Sequence, residues 1–277
     1  MITYGRIALI AGLVLLLPAC GTLDDVTDTV ETVDQAVSLL QDIEDNGTQQ
    51  VIDDGLDALD DQEQGYAITI HVQQGELDAG DSSAGTLTDD VTITVQVDAA
   101  GNALVQITRG DQTDHYFIDG FGDSLQASYH VQDERYACAN DNEDLRPFEN
   151  GLHSVFDHFD VTAVNVRVLS VAVEAEDDTI ADRDVTHYEL ESKVPDALAI
   201  LETIDNDNLQ ASIEQAGTFT FSGDLYLDDD TGALMGVNDV FDDLDTGRHT
   251  QFTFKITAWD VPEIPVPADS AIASPCD

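Results

Sequence analysis

The sequence predicts an α+β domain built on a large curved antiparallel β-sheet, with helices packed against one side of the sheet. Three observations lead to this prediction. From Tyr66 onward, apolar residues recur with a period of two, and the links between these runs are short and rich in Gly, Asp and Asn. The helical period returns at Phe148 and again after Pro195. Alternating strands with short links form antiparallel meanders, and a broad apolar helix face has to cover an apolar surface.

The N-terminal third of the chain contains two predicted helices. Between Asp24 and Glu44, apolar residues recur every three or four positions among acidic and other polar residues. This spacing indicates one narrow helical stripe, which we interpret as a tether helix or spacer; a coiled-coil seam would have the same spacing. A second, short helix carries Val51, Ile52, Leu56 and Leu59 and ends at Gly65.

Strands and helices then alternate to the end of the chain. An apolar face on residues 148–159 predicts a helix, and Pro195-Asp196 opens another that continues towards Ile213, because proline and an acidic residue suit the first turn. A proline-rich segment, 261–267, leads to Cys276. The predicted strands lie at 68–72, 91–97, 103–107, 115–118, 128–137, 164–173, 184–192, 218–222, 225–227 and 251–258.

The charge balance limits the partners of this chain. It contains 57 acidic and nine basic residues, a formal net charge of −48 at pH 7. Such a surface repels phosphate backbones and anionic headgroups, so binding to nucleic acid and charge-driven binding to a membrane are both disfavoured. Two explanations fit this composition: the protein is adapted to a saline habitat, or it is an acidic exported protein without such an adaptation.

The segment from Arg6 to Cys20 has the layout of a secretory signal peptide. One basic residue precedes eleven mostly apolar residues, 7–17, a run too short to span a bilayer. The ending Leu17-Pro18-Ala19-Cys20 resembles the lipobox of bacterial lipoproteins, which implies cleavage before Cys20 and acyl chains on its thiol. We therefore expect an exported protein, anchored through Cys20 to the outer face of a membrane. The alternative is an ordinary signal peptide cleaved elsewhere, with Cys20 a spare thiol.

Two further cysteines remain to be placed. If Cys20 is lipidated, Cys138 and Cys276 are the remaining pair, and export makes their oxidation possible. A bridge between them closes a loop of about 140 residues, which the chain-entropy model values at roughly 4 to 5 kcal/mol. We therefore predict a disulfide between Cys138 and Cys276.

Two stretches of the chain resemble the LppX/LprG-type lipoproteins and the related LolA/LolB carriers. One is Asp184-Val185-Thr186-His187-Tyr188-Glu189-Leu190 with the helix that follows from Pro195. The other comprises 223–228, Thr231-Gly232 and the run from Ile256 to Pro267. The resemblance implies a half-barrel sheet whose helices close over an apolar cavity that holds a lipid or another hydrophobic molecule.

The resemblance also suggests a division of the chain. It spans roughly Thr48 to Ala268 and leaves the acidic helix and the last residues outside. The predicted parts are a signal peptide at 1–19, an acidic helical tether at 20–47, one carrier-like domain at 48–268 and a tail with Cys276 at 269–277.

The sequence contains no recognisable active site, and we predict neither a catalytic residue nor a cofactor. A nucleophile elbow and a zinc-protease helix motif are both missing from it. His153 and Asp157 have the spacing of metal ligands on a helix, but no third ligand is evident and a solvated face explains them better. His187 is interpreted as a structural rather than a catalytic histidine. The Asp clusters at 205–208, 228–230 and 242–245 fit turns better than calcium loops, so no metal site is predicted.

The apolar alternation itself is the remaining candidate for function. Its residues are expected to share the concave face of the sheet, where they either form a filled core or line a cavity for a hydrophobic ligand. The sequence leaves this choice open, and it identifies no protein partner. The strand candidates are Ile68, Ile70, Val91, Ile93, Val95, Val105, Ile107, Val166, Val168, Phe219, Phe221, Phe252 and Phe254, and the helix candidates are Phe156, Leu198 and Leu201.

Overall fold

In the computed structural model the chain forms one curved, open, twelve-stranded sheet with few helices, which confirms the predicted fold class. The structure describes residues 37–39, 41–43, 47–76, 87–121, 126–140, 142–148, 151–159, 170–193, 196 and 219–276. Within the described residues, the helices whose full bounds are seen are α1 (Thr48–Asp60) and α2 (Gly151–Phe159), with 3-10 turns at Glu143–Phe148 and Asp269–Ala271. The strands are β1 (Tyr66–Glu76), β2 (Leu87–Val97), β3 (Ala103–Arg109), β4 (Gln112–Asp119), β5 (Ala127–Gln132), β6 (Arg135–Cys138), β7 (Ser170–Ile180), β8 (Arg183–Ser192), β9 (Phe219–Asp228), β10 (Leu234–Asp243), β11 (Arg248–Trp259) and β12 (Ile272–Ser274).

Two meanders make up the sheet. Strands β1 to β6 lie side by side in chain order, and so do β7 to β11. The meanders join where β1 pairs with β11 in antiparallel register. The short C-terminal strand β12 adds to β6 in parallel, and every other strand pair is antiparallel. The order of strands places the last strand of the chain at one edge and β7 at the other.

The core lies on one side of the sheet, which we call the inner face: the side of Ile68, Ile70 and Val72 in β1 and of their partners across the strands. These three side chains are at most 5% exposed, whereas the residues between them are partly exposed. Helix α1 adds Ile52, Leu56 and Leu59 to the same cluster, and α2 adds Leu152, Val155 and Phe156. The helices therefore pack on the inner face, as the alternation of the strands requires.

The outer face of the sheet is polar in its centre. Asn238 Oδ1 accepts hydrogen bonds from Gln251 and Thr253 of the neighbouring strand. Nearby, His71 Nε2 lies 2.7 Å from Asp90 Oδ1, and both side chains are at least one-third exposed. Cross-strand polar pairs of this kind suit a solvated sheet face.

A buried carboxylate fixes the proline-rich segment to the sheet. Asp98, which follows β2 and is 4% exposed, accepts hydrogen bonds from the backbone N–H groups of Ala100, Asn102 and Ile264 and from the Asn102 side chain. Burial by itself would raise the pKa of Asp98, but these hydrogen bonds outweigh it and lower the pKa below its ordinary value. The carboxylate is therefore a structural anchor that has to remain ionised.

Several elements differ from the sequence-based expectations. Strand β10 was not predicted at all, and β9 is one continuous strand where two short ones were expected. The predicted strand at 128–137 is a hairpin, with Asp133 and Glu134 at positive φ in its turn. Of the predicted strand at 164–173, residues 164–169 lie outside the described residues, and β7 continues to Ile180. The predicted helix after Pro195 also lies outside the described residues, apart from Asp196.

Candidate functional site

Most of the predicted ligand-lining residues lie together on the inner face. Their exposed fractions are at most 8%, and they belong to one continuous apolar cluster. Val166, Val168, Leu198, Leu201 and the side chain of Phe219 lie outside the described residues. The residues that the structure brings together are Ile68, Ile70, Val91, Ile93, Val95, Val105, Ile107, Phe156, Phe221, Phe252 and Phe254.

Helix α2 covers the centre of this face with an aromatic contact. The ring centroid of Phe156 lies 5.1 Å from that of Phe252 and 5.2 Å from that of Phe254, both on β11. Edge-to-face and tilted rings at this spacing are favourable packing arrangements. The apolar periodicity that begins at Phe148 therefore predicted the correct covering helix, which begins at Gly151.

One buried acid interrupts the apolar inner face. Asp239 of β10 is 1% exposed and lies between its strand partners Phe252 and Gly223. A Cβ atom at position 223 would lie 2.5 Å from Asp239 Oδ1, so the glycine provides the space that this carboxylate occupies. Sequence reasoning missed this residue because it missed the strand that carries it.

The inner face opens into a pocket where β4, β5 and β6 end the first meander. The pocket has a volume of about 590 Å³, within the usual range for small-molecule sites. It lies to the side of the aromatic contact with α2, and its lining includes polar groups. Its lining residues are Asp114, Tyr116, His130, Ala137, Cys138, Ala139, Asn140 and Asn142.

The strand register explains the position of the pocket. Tyr116 of β4 pairs with Val105 of β3 on one side and with His130 of β5 on the other, and His130 pairs with Ala137 of β6. Directly paired residues point to the same side of an antiparallel sheet, so these side chains continue the inner face. The rings of Tyr116 and His130 are tilted against each other with centroids 5.3 Å apart.

Hydrogen bonds hold the rim of the pocket. Asn142 donates from Nδ2 to the Tyr116 hydroxyl over 3.1 Å, while its Oδ1 accepts from the backbone N–H of Asp144. Asn140 Oδ1 accepts from the backbone N–H and the hydroxyl of Ser128, at 2.8 and 3.1 Å. Strand β5 therefore holds the Asn140 side chain, and β4 and the 3-10 turn at Glu143–Phe148 hold the Asn142 side chain.

Burial raises the pKa of Tyr116, and the neighbouring Asp114 and Asp144 raise it further, against the hydrogen bond from Asn142 and the charge of Arg109. Tyr116 therefore keeps its proton at neutral pH. The Tyr116 hydroxyl already accepts from Asn142, so its own hydrogen points to another acceptor or to solvent. Together, the residues that line the pocket provide hydrogen-bond donors, hydrogen-bond acceptors and one carboxylate, that of Asp114.

The other residues identified from the sequence have separate positions. Cys138 and Cys276 form the predicted disulfide, with Cα atoms 5.0 Å apart, and Cys20 lies outside the described residues. His153 Nε2 lies 3.1 Å from Asp57 Oδ1 of α1. His187 lies away from the pocket, stacked on Tyr226 with centroids 4.7 Å apart and hydrogen-bonded to Asp224 over 2.8 Å.

Metal-binding clusters and membrane-spanning helices are both absent from the described residues. No group of three or more histidine, cysteine or acidic side chains lies close enough together there to hold a metal ion. Within the same residues, no helix combines the length and the apolar character that crossing a bilayer requires.

Comparisons with known proteins give distant structural similarities. No protein-family model matches the chain, and no curated protein matches it. The lipoprotein LppX of Mycobacterium tuberculosis is 12% identical, with 78% of this chain and 96% of LppX covered and a TM-score of 0.36. The MucA/MucB complex of Pseudomonas aeruginosa contains a chain that is 10% identical, with 78% of this chain and 58% of that chain covered and a TM-score of 0.32. An outer membrane lipoprotein-sorting protein domain from Vibrio parahaemolyticus is 10% identical, with 75% of this chain and 92% of that domain covered and a TM-score of 0.24.

Proposed function

We propose that this chain is an exported, membrane-anchored lipoprotein that binds or carries a lipid or another hydrophobic molecule without changing it chemically. The observation that supports this proposal most is an unbroken apolar row across the inner face. One row of paired residues crosses six strands, from β9 to β3, without a polar side chain: Leu225, Val237, Phe254, Ile70, Ile93 and Ile107. A wall of this extent suits acyl chains.

The proposed anchor is Cys20. Because the chain carries a net charge of −48, an anionic membrane surface repels the domain, and acyl chains on Cys20 supply the attachment instead. In this proposal residues 1–19 are removed, 20–47 form the tether and 48–268 form the binding domain. The Cys138–Cys276 disulfide is consistent with a location outside the cytoplasm, where such bonds persist.

Lipid extraction tests the binding proposal. The exported chain with Cys20→Ser is purified without detergent and extracted into organic solvent for mass spectrometry. We expect a co-purified lipid, and we expect the delipidated protein to take up a fluorescent fatty acid. A protein that carries no lipid and takes up no fatty acid after delipidation would contradict the proposal.

A matched pair of variants on β2 locates the ligand. Val95 is on the inner face and 0% exposed, whereas the neighbouring Thr94 points to the other face and is half-buried. Val95→Phe enlarges a side chain in the proposed ligand space, so we expect reduced fatty-acid uptake by protein that still unfolds cooperatively. Thr94→Phe adds the same ring to the outer face and is expected to leave uptake unchanged. Equal uptake by both variants would place the ligand elsewhere.

A second function is favoured by the packing of the described core. The predicted lining residues within the described ranges are at most 8% exposed and contact one another, as in a filled scaffold. We infer that such a scaffold would present the acidic segment from Asp24 to Glu44 to a protein partner. Deletion of that segment would then abolish partner capture while the lipid extraction remains negative; a positive extraction would exclude this alternative.

A further inference from the structure

The pocket at β4, β5 and β6 differs chemically from the rest of the inner face. The apolar row that crosses the sheet reaches Ile107 of β3, and its next partner, on β4, is Asp114. The side chain of Asp114 is 26% exposed, whereas Ile107 is 1% exposed. An acid at the last position of an otherwise apolar row contributes nothing to core packing, so its presence calls for a different role.

The pocket is pre-formed around this carboxylate. Asn140 and Asn142 are held by hydrogen bonds on the rim, and the rings of Tyr116 and His130 form an aromatic wall. Asp114 Oδ2 accepts from Gln112 Nε2 over 3.1 Å. The distance from its Oδ1 to His130 Nε2 is 3.6 Å, too long for a hydrogen bond. Asp114 thus lines the pocket, and among the described residues its Oδ1 accepts no hydrogen bond.

The electrostatic field in the pocket is negative. The charge of Arg109 lowers the pKa of Tyr116, and the Arg109 guanidinium donates a hydrogen bond to Asp144 over 2.9 Å. This ion pair is close to neutral overall, so Arg109 does not compensate the charge of Asp114. The acidic net charge of the chain adds to the same field. An anionic ligand is therefore disfavoured in this pocket, and a cation is attracted.

We propose that this pocket binds a small organic cation, with its ammonium group against Asp114 Oδ1 and its carbon atoms against the rings of Tyr116 and His130. A carboxylate beside aromatic rings is a combination that recognises ammonium groups, because the charge is neutralised while the rings contact the alkyl part. The volume of about 590 Å³ accommodates such a molecule. The site is separate from the centre of the inner face and does not depend on the proposed lipid binding.

Choline is a suitable probe, and calorimetric titration at pH 8 and low salt measures its binding to the full-length chain with Cys20→Ser. We expect choline to bind more tightly than its uncharged isostere 3,3-dimethyl-1-butanol, and we expect sodium chloride to weaken its binding. Equal affinity for the cation and the uncharged isostere would overturn the proposal.

A matched pair of substitutions tests the role of the carboxylate. Asp114→Asn keeps the shape of the side chain and removes its charge, and we expect about tenfold weaker choline binding, equivalent to about 1.4 kcal/mol. Asp111→Asn removes the same charge from the exposed turn of the same hairpin and is expected to leave the affinity within about twofold. Equal losses in both variants would show a general field effect without a site at Asp114.

Two further measurements identify the source of the ammonium group and locate its binding site. Phosphocholine adds an anionic phosphate, so weaker binding than choline indicates a free cation, and tighter binding indicates a phospholipid headgroup with its ammonium in the same pocket. NMR shifts on adding choline are expected at Tyr116, His130 and Asn140. Shifts confined to other residues would overturn the assignment. Because this measurement uses the parent protein, it tests the assignment even if Asp114→Asn disturbs the fold.

Discussion

The centre and the β4 end of the inner face are built by the same strand alternation but have opposite chemistry. At the centre, Phe254 lies between Ile70 and Val237 and beneath Phe156 of α2, and it is 1% exposed. At the end, Asp114 occupies the next position after Ile107 in the same row and faces a pocket. The period of two thus determines which side of the sheet a residue faces, whereas the cover above it determines whether an apolar side chain is needed there.

The largest effect is expected at the centre. Phe254→Ala removes a buried ring that packs against Phe156, and because the surrounding sheet relaxes only partly, we expect a loss of about 3 to 5 kcal/mol in the free energy of unfolding. Lys255→Ala changes the next residue of β11, which is exposed, and is expected to cost within about 0.5 kcal/mol. Denaturant unfolding of both variants measures the difference; similar losses would contradict the assignment of the two faces.

The disulfide is expected to have the next largest effect, and it acts at the pocket end. Cys138→Ser with Cys276→Ser removes a bond that joins β6 to the C-terminal tail across a sequence separation of 138 residues. We expect a loss of about 2 to 5 kcal/mol, because the unfolded chain gains conformational freedom. In native-state hydrogen exchange, the amides of β5, β6 and β12 should lose protection before those of β1 and β11.

Cys20→Ser is the control for this double variant, since it removes a cysteine without touching the bridge. We expect its unfolding midpoint to equal that of the parent chain. If the double variant unfolds like the control, the disulfide does not contribute to the stability of the domain.

The sequence predicted the centre of the molecule better than its end. The alternation of Ile68, Ile70 and Val72 and the apolar spacing after Phe148 predicted the inner face and a helix that covers it. These patterns depend on the spacing of apolar residues within one strand or one helix, and this spacing can be read directly from the sequence. The bridge between Cys138 and Cys276 was predictable because the expected export and the expected lipidation of Cys20 left one pair.

Strand β10 and the pocket could not be predicted because they depend on partners distant in the chain. In β10, Asp239 lies opposite Gly223. Asp242 accepts a hydrogen bond from Thr220, and its Oδ1 lies 2.6 Å from His249 Nδ1. These contacts accommodate in a strand the acidic residues that, from the sequence, indicate a turn. The pocket requires the register of β4, β5 and β6, including the turn at 133–134, which the sequence did not separate from a single strand. The amino-acid composition predicts neither the contacts of the β10 acids nor the register of β4, β5 and β6.

Asp98 provides a contrast with Asp114, since its carboxylate is fully engaged in hydrogen bonds. Asp98→Asn keeps the size but removes the charge, and we expect a loss of about 1 to 3 kcal/mol at pH 7 because hydrogen bonds to charged groups are the stronger ones. The pKa of Asp98 is lower in the folded protein than its ordinary 3.8. Its contribution is therefore present above that pH and is lost as the pH falls through the folded pKa.

The pH dependence makes this prediction specific. The difference in unfolding midpoint between the parent chain and Asp98→Asn should be largest near pH 7 and shrink once the pH falls below the ordinary value of 3.8, as the parent carboxyl also becomes protonated. Asp133→Asn, at an exposed turn position, serves as the control and is expected to show no such trend. A difference that stays constant over this range would mean that the ionised form of Asp98 does not stabilise the attachment of the proline-rich segment.

The smallest effect is expected from Asp114→Asn on stability. The carboxylate is partly exposed and 3.6 Å from the nearest histidine nitrogen, and the chain already carries an excess of negative charge, so loss of one charge should change the free energy of unfolding by no more than about 0.5 kcal/mol. Denaturant unfolding measures this directly. A loss above about 1 kcal/mol would show that Asp114 belongs to the packed face, and the contrast with Phe254 would then disappear. A small change with weakened choline binding would instead separate binding from folding at this position, because only a residue outside the core can lose its charge without a cost in stability.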